Sequence, residues 1–357
     1  MESTVKLTID HVCEATASEW QQFWLNCASA TYFHSPEWAR LWSEHGPSPM
    51  RPAAQLIVFS DGARALVPLS YESKYAGLLS RYVSSPQGTY GGWLSMAPLS
   101  LPHALLLVDW LTQKQSASLV WRLNPYDRLS FEAGSERGVQ CKSDETHAIR
   151  LSKNPDEILK GFKSAYRSQI KKAAASGHFS VSAATSLEEW QTYFKVYQDS
   201  LQRWGDEAAD GYSWPIFEAM YRSESPYIKL WLARYDGQVV SGDICVYSKT
   251  HVVYWHGSTL ADHLKTGASK LLKFEVIKDA HARGLVWYDF NPSAGLEGVR
   301  FFKEGFNPEV LPAPIVYADT AFKRVARFCA TAARLSYARL SLQPLREIAL
   351  PPKSLAY

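Results

Sequence analysis

The sequence predicts an α/β protein of two domains in tandem, each a mixed, mostly antiparallel sheet flanked by helices. Three observations carry this. The chain has 357 residues, more than the ~100 to 200 usual for one domain. Helical and strand-like periods alternate through both halves. The run LVWYDF (285–290), nearly all apolar, reads as a strand buried on both faces and follows a long amphipathic helix.

In the first half, residues 19–27 read as a helix. In TYFHSPEWARLW, Ser35 caps a second helix that Pro36 opens. Residues 53–59 and 64–71 form a hairpin across Asp61-Gly62. SSPQGTYGGW (84–93) is a loop, followed by a helix near 100–115 and a strand at 118–123. This domain is expected to span residues 1–150.

The second domain, 151–320, opens at Asn154-Pro155 with a helix expected to continue to Gly177. Helices follow at 187–203 and 214–222, then strands at 227–235, 238–247 and 251–257, the first two joined at Asp236-Gly237. The helix over 268–283 shows Leu272, Val276 and Ala280 on one stripe, and Gly284 stops it. Residues 321–357 form a basic tail. Within it 322–339 reads as an amphipathic helix that packs on the second domain in the first instance, or touches a membrane surface, for which Lys323, Arg324, Arg327, Arg334 and Arg339 are suited.

Composition narrows the function. The charge is only +3, too small for a protein devoted to coating nucleic-acid phosphates. The five cysteines are widely spaced with no CxxC, which suggests neither a disulfide framework nor a zinc ribbon. His251, His256 and His263 lack metal-ligand spacing, so no metal is expected. MESTVKLTID lacks the layout of a leader, and 101–111 is too short to span a bilayer. The expected location is cytoplasmic, with the inner face of the membrane as the alternative should the tail touch lipid. The residues leave oligomeric state open.

Helix, helix, meander, helix, strand is the order of a GNAT acyltransferase domain. FHSPEW, YRSQIKKAAASG, VVYWHGST and YDF with Gly295 and FFKEGF, in this order over about 33–308, resemble the Fem family, whose transferases build peptidoglycan side-chain bridges. The resemblance implies an N-acyltransferase that moves an acyl or aminoacyl group directly from an activated carrier to an amine. The acceptor would be a cell-envelope or polysaccharide precursor, small or lipid-linked. The donor is an acyl-CoA or an aminoacyl-tRNA gripped by its acceptor end. Two departures stand out. The loop at 87–92 has no carboxylate where Fem enzymes carry an Asp, and Gly267-Ala268-Ser269 replaces the proline that opens the long helix.

The resemblance makes the Lys of Phe302-Lys303 a donor-site residue. Chemically, a cation here would meet the charge that develops on oxygen as an amine attacks an ester or thioester. We expect Phe301, Phe302 and a turn at Gly305 to hold it; read alone, it is a solvated lysine on a short helix. Asp289 either accepts N–H bonds from its own turn or orients Lys303 and takes the amine proton. LKTGAS, with Gly267 and Ser269, is either an ordinary helix start or a partial phosphate cradle. Arg167 and Lys171, four apart on one helix face, offer a strip for an acceptor phosphate or are simply solvated. Tyr90 and Gly91 on the acceptor side and Trp255 on the donor side complete the candidates, their aromatic rings suited to stacking or to the core. A non-catalytic binding protein for a sugar-phosphate or polysaccharide is the alternative reading. No GxSxG, Walker or dinucleotide motif is present.

Overall fold

The computed structural model describes residues 6–48, 50–74, 79–113, 117–205, 211–318 and 342–350. The chain divides into two compact units, Met1–Glu145 with Leu311–Tyr357, and Thr146–Val310. The expected join near 150 thus falls between 145 and 146, and the chain after 310 returns to the first unit. The basic helix expected over 322–339 lies outside the described residues.

The first unit runs β1 (Ile9–Glu14), α1 (Ala17–Asn26), α2 (Pro36–His45), β2 (Met50–Pro52), β3 (Gln55–Phe59), β4 (Arg64–Val67), β5 (Ser70–Lys74), β6 (Leu79–Val83), α3 (Leu101–Gln113), β7 (Ser118–Arg122), α4 (Arg128–Glu136) and β8 (Gln140–Lys142). Local chemistry sets the helix starts. Thr16 and Glu19 form a capping box on α1, and Ser35 accepts the Trp38 N–H with Pro36 at the first turn of α2. The hairpin across Asp61-Gly62 joins β3 to β4, and β1 pairs on the other edge of β3.

The second unit carries β9 (Glu145–Arg150), α5 (Pro155–Gly161), α6 (Ser164–Ala175), β10 (Phe179–Ala183), α7 (Leu187–Trp204), α8 (Trp214–Arg222), β11 (Ile228–Tyr235), β12 (Gln238–Tyr247), β13 (His251–Thr259), α9 (Ala268–Ala282), β14 (Trp287–Asp289), α10 (Glu297–Glu304) and β15 (Glu309–Pro312). Its sheet has the order β10-β11-β12-β13-β14-β9-β15, antiparallel from β10 to β13 and between β14 and β9, with β13 and β14 parallel. The helix expected unbroken from 155 to 177 is two. Phe162 is buried against Phe274 and Phe306, and this anchor turns Phe162 and Lys163 extended between α5 and α6. Burying that ring outweighs one more helical hydrogen bond.

The last strands, β16 (Ile315–Ala318) and β17 (Gln343–Pro344), complete the first unit's larger sheet, of order β17-β8-β16-β7-β6-β5-β2. Val316 lies in the same core as Leu107, Trp121 and Phe131. The second unit's core gathers Ile149, Phe162, Val252, Ile277 and Tyr288 under α9.

Candidate active site

In the second unit two parallel strands part. β13 pairs with β14 only from His251 to Val253, opposite Trp287 to Asp289, yet β13 continues to Thr259. Beyond Tyr254 the described residues place no strand on that edge of β13. A bulge in the pairing with β12, at Trp255, adds to the local twist here.

Asp289 ends β14 in full burial. Its Oδ1 accepts the Thr146 hydroxyl at 2.6 Å and the Asn291 N–H at 2.7 Å, so it fastens its own turn and ties β14 to β9. Asn291 is then left-handed (φ 62°), which points its carbonyl back toward α10. There the Lys303 ammonium donates to it at 2.6 Å. Lys303 is only 2% exposed, in the last turn of an otherwise open helix. It is held by this carbonyl and not between the two rings. Phe301 is 69% exposed with Lys163 5.2 Å from its ring centroid, and only Phe302 faces inward. Gly305 is not a special turn either, since its φ is −63°. A Cβ there would overlap the Tyr166 ring, so glycine permits α10 to approach α6.

His147 on β9, which sequence reasoning missed, is buried beside this group. Burial holds its imidazole below the ordinary range, with the Lys303 charge adding to the effect. Lys273 was also missed. On α9 its ammonium lies 3.0 Å from Asp243 Oδ2, and each of the two residues is 1% exposed. Burial raises the Asp243 pKa while the Lys273 ammonium opposes the rise.

Of the donor-side candidates, Gly267 and Ser269 open α9 and Phe302 packs on it, whereas Trp255 lies against Tyr212 and His256. Gly267 caps the helix in a left-handed conformation (φ 89°) and packs on the Gln169 carbonyl, so a side chain there is strained on both counts. Ser269 Oγ is 3.4 Å from Lys273 Nζ. Trp255 is buried with Tyr212 at 5.1 Å. Arg167 turns back from α6 to donate to the carbonyls of Lys160 and Phe162, closing the end of α5, whereas Lys171 is exposed. Tyr90 and Gly91 belong to the first unit. Tyr90 is buried against Phe33, and Gly91 donates to the Arg122 carbonyl where a Cβ would overlap Ser84. Beside their loop is a pocket of about 300 Å³ that includes Glu72, Arg81, Ser84 and Arg122. Among the described residues no three His, Cys, Asp or Glu side chains are placed to hold a metal ion, and no helix is long and apolar enough to cross a membrane.

A family model described as an acetyltransferase (GNAT) domain matches residues 160–304. These residues carry the fold of a GNAT acetyltransferase domain. Solved structures similar in fold include FemX, with a TM-score of 0.67 and 12% identity over 89% of this chain and 99% of that one. Another is the C-terminal domain of a putative lysylphosphatidylglycerol synthetase from Agrobacterium fabrum, with a TM-score of 0.55 and 11% identity over 91% of this chain and 99% of that one. A conserved protein of unknown function from Bacteroides thetaiotaomicron also matches, with a TM-score of 0.55 and 10% identity over 88% of this chain and 100% of that one. No curated protein matches. At these identities the likeness shows a fold shared with FemX, and Lys303 lies within the residues that the GNAT model matches.

Proposed function

We propose that the chain is an N-acyltransferase that passes an acyl or aminoacyl group from an acyl-CoA or aminoacyl-tRNA directly to an amine on a cell-envelope or polysaccharide precursor. One observation carries the reading: within the part of the chain that the GNAT model matches, a buried lysine ammonium is anchored on the Asn291 carbonyl, two residues past the end of β14. A cation held in low dielectric stabilises the oxygen that turns negative as the amine attacks, and its placement requires no reorganisation during the reaction. The new C–N bond forms, the thioester C–S or ester C–O bond breaks, and the carrier leaves with a proton. Asp289 and the depressed His147 are the nearby groups to orient the amine and receive its proton.

Gly267 and Ser269 at the start of α9, with Phe302 and Trp255, make up the donor side in this reading. Arg167 and Lys171, with Tyr90 and Gly91, make up the acceptor side. A similar structure named for lysylphosphatidylglycerol synthesis supports an aminoacyl donor and a lipid-borne acceptor. The test is thermal unfolding of the pure protein with acetyl-CoA, and separately with alanyl-tRNA. A rise in Tm with one of them identifies the donor class; no rise with either, alongside a rise with a sugar phosphate, replaces the enzyme with a binding protein.

A further inference from the structure

A buried ion pair is a costly way to fill a core, since apolar residues of similar volume would serve the fold equally well. Asp243, in the middle of a strand whose neighbours are all buried, and Lys273 on α9 form such a pair, with Nζ 3.0 Å and 3.2 Å from the two carboxylate oxygens. The remaining surroundings of that ammonium are specific. It stands 4.0 Å from the centroid of the Tyr254 ring and 5.3 Å from that of Phe302, with Ser269 Oγ at 3.4 Å. One cation therefore touches β12, β13, α9 and α10. Tyr254 is the first residue of β13 beyond its pairing with β14, and Phe302 immediately precedes Lys303.

The surrounding chain makes room for this arrangement. Gly257 pairs with Asp243 across the sheet, and a Cβ on it would overlap both the Asp243 carboxylate and the Tyr254 hydroxyl. The space a side chain would occupy is filled by the two polar groups. Lys270, one turn earlier on α9, lies 4.8 Å from the Tyr166 centroid and 5.7 Å from that of Phe302. The Tyr166 hydroxyl in turn donates to the Phe302 carbonyl at 3.1 Å. Phe302 is thus gripped by two lysines from a single face of α9 and by a tyrosine from α6.

We infer that Lys273, fixed by Asp243, is a positioning residue for Lys303. The pair holds the Phe302 ring by cation–π attraction, this sets the rotation of α10, and that rotation delivers the Lys303 ammonium to the Asn291 carbonyl. The inference rests on the reading of Lys303 as the catalytic cation. It explains why two charges are kept in a core that hydrophobic residues could fill. α10 is short and its outer face is open, so packing alone gives it few anchors.

The test pairs Asp243→Val/Lys273→Met, which removes both charges and retains most of the volume, with Phe302→Leu, which removes the ring and leaves the ion pair. Amide hydrogen exchange is read on peptides covering 290–304 and, as a control, 228–247. Both variants are expected to exchange at least tenfold faster in 290–304 while 228–247 stays within twofold of the parent. Turnover with acetyl-CoA or alanyl-tRNA is expected to drop at least tenfold in both, with donor KM within twofold in the double variant, whose two residues are outside the donor side. Unchanged exchange in 290–304 overturns the inference, as does an equal acceleration of both regions, which marks a purely structural pair. Phe302→Leu decides the matter if the double variant does not fold. Exchange needs no substrate, so a parent protein inactive with both donors defeats the proposed function and leaves the positioning result standing.

Discussion

At the scale of single residues, the site turns on where a charge is placed and what lies around it. Lys303→Met keeps most of the aliphatic stem and deletes the ammonium. Turnover is expected to fall ~100-fold or more with the fold intact, because one preorganised oxyanion donor contributes roughly 3 to 4 kcal/mol. Steady-state kinetics checks this: a rise in donor KM with the saturated rate preserved would assign Lys303 to holding the carrier instead. His256 provides a second test. Burial lowers its pKa to about 3, and Tyr193 Oη lies 2.6 Å from its Nδ1. The unfolded chain takes up this proton near 6.5 while the native state refuses it. The group's contribution to stability is therefore complete above pH 6.5 and is lost as pH falls toward 3, at about 1.4 kcal/mol per unit crossed. His256→Asn should flatten the decline in Tm between pH 6.5 and 4, and a slope equal to the parent's would assign the acid sensitivity elsewhere.

At the scale of elements, α5 and α6 show how one side chain serves two helices. Arg167 closes the end of α5 through two carbonyls, so its guanidinium is partly committed before any ligand arrives. Arg167→Ala is expected to cost about 1 to 2 kcal/mol of stability through those carbonyls, in addition to any effect on the acceptor. Lys171→Ala, on the exposed face, should leave Tm within a degree and raise the acceptor KM with little change in kcat. Thermal unfolding together with acceptor titration separates the two. An unchanged KM in Lys171→Ala would make that face a plain solvated one.

At the scale of the whole molecule, the first unit is discontinuous in sequence. β16 arrives from beyond residue 310 and inserts between β7 and β8, pairing Ile315 to Ala318 with Leu119 to Arg122 on one side and Ile315 and Val316 with Cys141 and Lys142 on the other. A chain ending at Val310 would leave both strands with unpaired backbone groups facing the gap, and would remove Val316 and Leu345 from the core. Hydrogen exchange should then show lost protection in 118–122 and 101–113, with 228–247 protected as before. Equal protection in both would mean that the first unit's sheet is complete without its returning strand.

Short-range chemistry was legible in the sequence. The cap at Ser35-Pro36, the hairpin at Asp61-Gly62, the meander of β11 to β13 and the stripe of α9 each depend on neighbours within a few residues, and each is present. The order of those elements, with the motifs around Lys303, also pointed to the GNAT fold. Tertiary structure alone decided the rest, because burial is a property of partners far apart in the chain. Lys273 in LLKFEV reads as a surface position until Asp243, thirty residues earlier, is brought beneath it. Nothing near Phe162 signals that its ring will be buried with Phe306 and interrupt a helix. Lys303 could be read from sequence as a cation in the right motif, but its anchor depends on a left-handed Asn291, which Asp289 holds after β14 has paired with β9. The pattern of residue types sets which elements form and names the candidates, while the desolvation that gives a lysine or a carboxylate its chemical weight exists only once distant strands and helices have closed over it.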